Sequence, residues 1–465
     1  MLRGRGTFTL GGQDALAARE TPPSRGILGR DFELDVELEH WPASILDPVL
    51  GLSIDLGGAL TGSGTFSSKQ GALVGTGHVS VTGGTFQGHD FDVASSHVAV
   101  RDRQLLLDDL AVSRETAHLG GLFHLNLDTL DVVSALNATD VPIAVLGVVP
   151  FDIEGKLGGT LRLGGRLGAA TADVEADVAG LRVAGWDLGR GRVDAELRDN
   201  ALRGDISLTG SGIDLEAELG IQLSRPMKLA GQARWSRADL APLLRSTLPP
   251  TGPELPGSLR LISAGEASFA GALGSVKDLS ASVSLSSLAV EVADYRLASP
   301  EPIDVELQDG ELRLGSLVLV GEDTRLRIAG GANLVNGDMD LDAGGAVNLV
   351  ALDALFPSMS WSGNADLAGR LHGEWARPEL SGSVDLTGGA VSFRSFPQAI
   401  GDINGRVLFD NRTVRLSGIE GRFGGAPVAL TGSLSLNRLV PESFDLSASG
   451  KGMRLRYPEG LVAEA

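Results

Sequence analysis

The sequence predicts an all-β chain: an elongated antiparallel repeating groove built from units of about a hundred residues, with short helices between them. Three observations predict it. A unit recurs at a constant period, strict alternation of apolar and polar residues dominates between the landmarks, and glycine is abundant where bulky aromatics are scarce. Three landmarks carry the period. The first is a strand ending in a glycine flanked by small or apolar residues, in TGSGTF, RLGGRL, FAGAL and LAGRL, at Gly64, Gly165, Gly271 and Gly369, with spacings of 101, 106 and 98. The second is a turn in VRDRQL, LRDNAL, LQDGEL and LFDNRT, at Asp102, Asp199, Asp309 and Asp410, with spacings of 97, 110 and 101. The third is a short apolar patch of helical character, WPASILDPVL, VPIAVLGVV, ADLAPLLRSTL and LVALDALFP, marked by Leu46, Leu146, Leu244 and Leu355 at spacings of 100, 98 and 111. Landmarks that keep one order and one period describe an array of stacked units rather than a single globule.

The strands follow from the alternation. Ile213, Leu215, Ala217, Leu219, Ile221 and Leu223 share one face, while Asp214, Glu216, Glu218 and Gln222 share the other. That is the period-2 pattern of a strand with one apolar and one wet face. Val384 and Leu386 repeat it around Asp385, and Val428, Leu430, Leu434 and Leu436 alternate with small and polar residues. Asp338, Asp340 and Asp342 interleave with Met339 and Leu341 in the same way. Asp199-Asn200, Asp309-Gly310, Asn336-Gly337 and Asp410-Asn411 punctuate the runs. Such pairs carry the positive φ angles of tight hairpins, so neighbouring strands are antiparallel and each unit is a meander.

Helix is expected only at the third landmark, over 237–245 and 350–356, stopped by Pro249-Pro250 and by Pro357. The Pro-rich stretches 247–256 and 299–302 read as the nearest approach to linkers. The units read as 1–60 (partial), 61–160, 161–265, 266–364 and 365–465.

Composition narrows function. Net charge is −20 and pI about 4.8, which excludes the basic groove that nucleic acid requires. The absence of Cys excludes disulfides and thiolate metal sites. No segment reaches the ~18 apolar residues that span a bilayer as a helix. Both ends read as cut, as in an internal piece of a longer protein. No catalytic constellation emerges. The seven His lack metal-ligand spacing, and the aspartate ladder at 338–342 fails the EF-hand pattern at Ala343 and Leu349. No Walker loop occurs, so no cofactor, metal or catalytic residue is assigned and the chain is read as a non-enzyme.

A sheet with one apolar face must bury it against something. With Leu, Val, Ile and Ala inward and Gly allowing the sheet to bend, a long meander becomes a gutter. It either closes on a dry core or stays partly open to apolar ligand. The candidate groove-lining residues are Ile213, Leu215, Leu219, Ile221, Val384, Leu386, Val428, Leu430 and Leu434, with Asp214, Glu216, Glu218 and Asp385 outside. At about 4.8 Å per strand, some 20 to 30 strands would extend on the order of 100 Å.

The last hundred residues carry a more specific signal. LAGRLHGEWARPELSGSVDLTGGAVSF, GDINGRVLFDNRTVRLSGIEGRFGGAPVALTGSLSL and FDLSASGKGMRLRYPEGL resemble the TamB family, the large subunit of the bacterial translocation and assembly module, related to AsmA-like proteins. LGGRLGAATADVEADVAG and FAGALGSVKDLSASVSLS match more loosely. The resemblance covers the chain as repeats and is strong from about residue 361. It departs from a full member in the anchor helix and in the terminal domain that would follow Leu461. The resemblance implies a β-taco, a U-shaped sheet with an apolar floor. It implies residence in the periplasm of a diderm bacterium, inner-membrane anchoring of the parent, and a partner barrel in the outer membrane. It further implies either phospholipid transfer between the membranes, with acyl chains as the ligand, or assembly and secretion of outer-membrane proteins. A structural β-solenoid with a dry core is the third reading.

Overall fold

The computed structural model describes residues 3–7, 32–46, 55–69, 72–86, 88–101, 103–146, 153–166, 168–183, 186–210, 212–247, 255–272, 275–354, 358–394, 396–437, 440–456 and 462–464. The chain forms two compact units, one of residues 1–183 with 187–208 and the other of 184–186 with 209–465. Each is an antiparallel meander in which nearly every strand pairs with its neighbours in sequence.

In the first unit the ladder runs from Arg3–Thr7 through Phe32–Pro42 and Leu56–Lys69 to Ile153–Arg166 and Ala169–Val183. In the second it runs from Ile213–Gln222 through Lys228–Asp239 and Arg260–Ala272 to Ala426–Asn437 and Val440–Gly450. Alternation dictates this. Each run of 10 to 16 residues places its apolar members on one face, and short turns return the chain at once.

The hundred-residue period is a set of six strands plus one helical segment. In the first unit Ala43–Ile45 and Ile143–Leu146 form 3₁₀ turns with six strands between them. In the second, the helix Ala241–Thr247 and the 3₁₀ segment Leu349–Ala354 enclose six more, one of them interrupted. Six is even, so within each unit both helical segments lie at the same rim. The aspartate turn falls between the third and fourth strand of the sets that contain Asp199 and Asp309. Asp199 and Asn200 have φ of 48° and 62°, and Asp309 and Gly310 have 54° and 79°, as a two-residue hairpin turn demands.

Several expectations are corrected. Asp410 pairs with Thr413 as the last rung before the turn, so the turn residues there are Asn411 and Arg412, one place later than at Asp199 and Asp309. Residues 237–239 continue the strand Lys228–Asp239, and the helix begins only at Ala241. It starts there because the Asp239 carboxylate accepts the Ala241 N–H at 3.1 Å and the Leu261 N–H at 2.9 Å, tying helix and next strand together. Residues 299–302 are not a linker. Tyr295–Ala298 and Ile303–Gln308 both pair with Leu279–Val292, so the two prolines interrupt one strand whose missing donors they suit. A further 3₁₀ turn, Val276–Asp278, lies outside the third landmark. Asp102, Leu355, Leu461 and the prolines at 249, 250 and 357 lie outside the described residues.

Glycine bends the strands. Register shifts recur where a residue of positive φ sits in a strand, as at Gly180 (φ 62°) between Ala179 and Arg182 and at Gly418 (φ 61°) between Leu416 and Ile419. Such bulges kink and twist the strand that carries them.

Candidate apolar groove

Residues directly opposed across antiparallel strands share a face. The registers therefore trace rows across the second unit. One row is Leu319, Leu326, Gly345, Leu367, Val384, Val407, Leu416, Gly432 and Leu446. A second begins at Leu317 and passes through Ile328, Ala343, Gly369, Gly382, Phe409, Val414 and Leu434 to Phe444. Leu219 opens a third, through Gly231, Phe269, Ala281, Leu307, Leu312 and Ala332 to Met339. No charged side chain interrupts these rows.

All nine candidate residues lie in this unit, on this face. Ile213 and Val428 are buried, at 2% and 5% exposure. Leu215, Leu219, Ile221, Val384, Leu386, Leu430 and Leu434 are half-buried. Leu386 packs beside the cluster of Val391, Ile403 and Ile419, as does Leu430. A flat single sheet would expose both faces alike. Here the apolar side chains are shielded while Asp214, Glu216 and Glu218 on the reverse are exposed, so the apolar face is the concave one.

The reverse face is a lattice of ion pairs. Arg406 grips Asp385 with both nitrogens, at 2.5 and 3.0 Å, and thereby relieves the direct opposition of Asp366 and Asp385. Arg370 does the same for Asp340, its Nε donating at 2.5 Å. These hydrogen bonds hold the Asp385 and Asp340 carboxyls below the usual carboxylate range and raise both guanidiniums. All four side chains remain about half exposed, so the pairs order the surface more than they stabilise it.

The helical segments cover the groove at its rim. Ala241 is fully buried and Leu349 nearly so. In the first unit Ala43 joins Leu60, Val81 and Phe91 in one cluster, with Trp41, Ile45 and Leu46 against it. Among the described residues, the strand Val440–Gly450 leaves Phe444 75% and Leu446 46% exposed.

Four buried hydroxyl residues went unforeseen. Ser96, Ser134, Ser263 and Thr324 sit among apolar neighbours. Ser134 donates to the Leu122 carbonyl at 2.9 Å, and Ser96 to the Asp108 carbonyl at 3.0 Å. Ser263 accepts from the Trp235 indole at 3.1 Å and donates to the Ala238 carbonyl at 3.2 Å. Ser96 and Ser263 sit beside register shifts, where a backbone carbonyl is freed from the ladder, whereas Thr324 accepts the Asn348 N–H at 2.9 Å. A serine at an inward position of the alternation is the only sequence signal, and it does not distinguish these from solvent-facing serines.

The chain matches no protein-family model, no curated protein and no solved structure. Among the described residues no helix is long and apolar enough to cross a membrane.

Proposed function

We propose that the apolar face of the second unit carries phospholipid acyl chains, as part of an envelope protein that moves lipid between the inner and outer membranes of a diderm bacterium. The observation that carries this reading is the set of uninterrupted rows from Leu317 and Leu319 to Phe444 and Leu446, whose middle members from Leu326 to Val407 are half-buried rather than sealed. Acyl chains leaving water for such a surface gain roughly 25 cal/mol per Å² of apolar area buried. A groove without charges holds chains without fixing them, as conduction requires. On this reading the chain binds and conducts and does no chemistry. Its parent is anchored in the inner membrane, resides in the periplasm and meets an outer-membrane barrel, as the resemblance of residues 361–461 to the TamB family suggests.

A second reading is favoured by one feature. Among the described residues, Val440–Gly450 pairs with Ala426–Asn437 and presents Phe444 and Leu446 openly. Such exposed apolar strand residues suit strand addition by an outer-membrane protein client.

Photo-crosslinking in living cells separates the two. A photoreactive residue at Leu219 or Leu386 should yield lipid adducts, and one at Glu218 or Glu216 none. Leu219→Arg should abolish lipid transfer at unchanged protein level, because desolvating a charge against acyl chains costs several kcal/mol. Glu216→Arg should leave transfer intact. Protein adducts without lipid at Leu386, with transfer undisturbed by Leu219→Arg, would replace conduction by the client reading.

A further inference from the structure

The reverse face of the second unit carries a series of ion pairs, and one pair of cations on it stands outside them. Arg325 and Arg327 lie two residues apart on the strand Thr324–Asn333, both pointing to that face. Every neighbour directly across from them is uncharged: Val320 and Ala346 flank Arg325, and Val318 and Gly344 flank Arg327. Neither arginine has an ion pair or a side-chain hydrogen bond among the described residues, although the chain carries twenty more acidic than basic charges. By contrast Arg313, on the adjoining strand, is held by Glu311 at 2.9 Å.

These two guanidiniums wall a depression of about 730 Å³. Its floor is backbone and methyl groups, from Gly344, Gly345, Ala368, Gly369, Gly382 and Ala329. Arg370 closes another side, already neutralised by Asp340, and Ser381 adds a hydroxyl. Val318 lines it too and is only 4% exposed, although it faces the charged side, which marks the depression as a formed feature of the surface. Asp342 is the one carboxylate in the lining. The local balance is positive on a negative unit.

We propose that this depression binds a phosphate ester, with Arg325 and Arg327 as its two forks. Residues two apart on a strand lie about 6.7 Å from each other at Cα, a span that long side chains close onto one tetrahedral anion from two sides. Guanidinium groups match phosphate oxygens in bidentate geometry, and the absence of side chains on the floor leaves room for the esterified group. The site lies on the opposite face from the apolar groove, so it stands or falls apart from the lipid-conduction reading. The phosphate comes from either a soluble ester or a lipid headgroup presented at a membrane surface.

The test is calorimetric titration of the whole chain with inorganic phosphate and glycerol 3-phosphate, and flotation with vesicles of phosphatidylglycerol or of phosphatidylcholine. Saturable binding should appear with a soluble ester or with phosphate-bearing vesicles. The double variant Arg325→Gln, Arg327→Gln should weaken it at least tenfold, and rising salt should weaken the wild type. Arg313→Gln should leave affinity unchanged. Glycerol 3-phosphate bound as tightly as vesicles assigns a soluble ester; binding to vesicles alone, lost in the double variant, assigns a headgroup. Absence of saturable binding in both arms overturns the proposal, as does equal affinity of the double variant, with its circular dichroism matching wild type.

Discussion

Gly382 is the residue on which the bend of the second unit can be tested most directly. It lies in Glu379–Phe393, paired with Gly369 on one side and Phe409 on the other, with φ of +135°. A Cβ there would lie 2.2 Å from the Ala368 carbonyl oxygen and 2.6 Å from the Gly369 Cα. Both are backbone atoms of the neighbouring strand, so no rotamer change relieves them, and the two strands must part by about an ångström. Gly382→Ala therefore adds backbone strain of about 1–3 kcal/mol and an overpacking cost of about 1–3 kcal/mol. The expected loss is about 2–6 kcal/mol, a large share of the 5–15 kcal/mol that typically holds a domain. Gly401 supplies the control. Nothing lies within 4 Å of a Cβ built there and its φ is not left-handed, so Gly401→Ala should be neutral or stabilise by about 0.5 kcal/mol through the unfolded chain. Urea denaturation with a common m-value gives the difference, and hydrogen exchange in Met359–Glu374 and Glu379–Phe393 locates it. Equal stability of the two variants, within about 0.5 kcal/mol, would refute the close approach of these strands.

Two further variants probe what the fold hides and what it displays. Ser263→Ala removes the acceptor of the buried Trp235 indole and should cost about 1–3 kcal/mol, with a change in tryptophan emission; an unchanged urea midpoint would mean that water reaches the indole. The Asp340 and Asp385 carboxyls are held low by Arg370 and Arg406, so their contribution is present above the unfolded value of about 4 and is lost as pH falls through the folded values. Asp340→Asn together with Asp385→Asn should flatten the acid limb of a pH–stability curve, whereas an unaltered limb would show the pairs to be energetically silent.

Strand identity, pairing direction and the apolar face were legible because they rest on a period of two, which Ile213–Gln222 keeps without a break. The repeat was legible because the six-strand set fixes where glycine, turn and helical patch must fall. What was not legible depends on register. Asp410 reads like Asp309 in sequence, yet one extra rung in the ladder moves it out of the turn. Residues 237–239 carry helical spacing, but Ala238 and Asp239 pair with Ser263 and Ile262, and those cross-strand bonds override local preference. The arginine depression could not be read at all. Arg325 and Arg327 look like any solvated pair on a polar face until the register sets Val318, Val320, Ala346 and Gly344 beside them.

The lengths of the units show what the fold holds constant. From the start of each helical segment to the next strand the chain spends 13, 10, 19 and 10 residues, so the variable spacings of the landmarks arise in connections. The strand number does not vary with them. One strand more or fewer would carry the next helical segment to the opposite rim, while any change in a connection leaves it in place. Even parity keeps the segments that bury Ala241 and Leu349 at one rim of the apolar face. Inserting one complete hairpin, as a two-strand step, thus keeps every helical segment at its rim, whereas an odd strand would place the next one at the other.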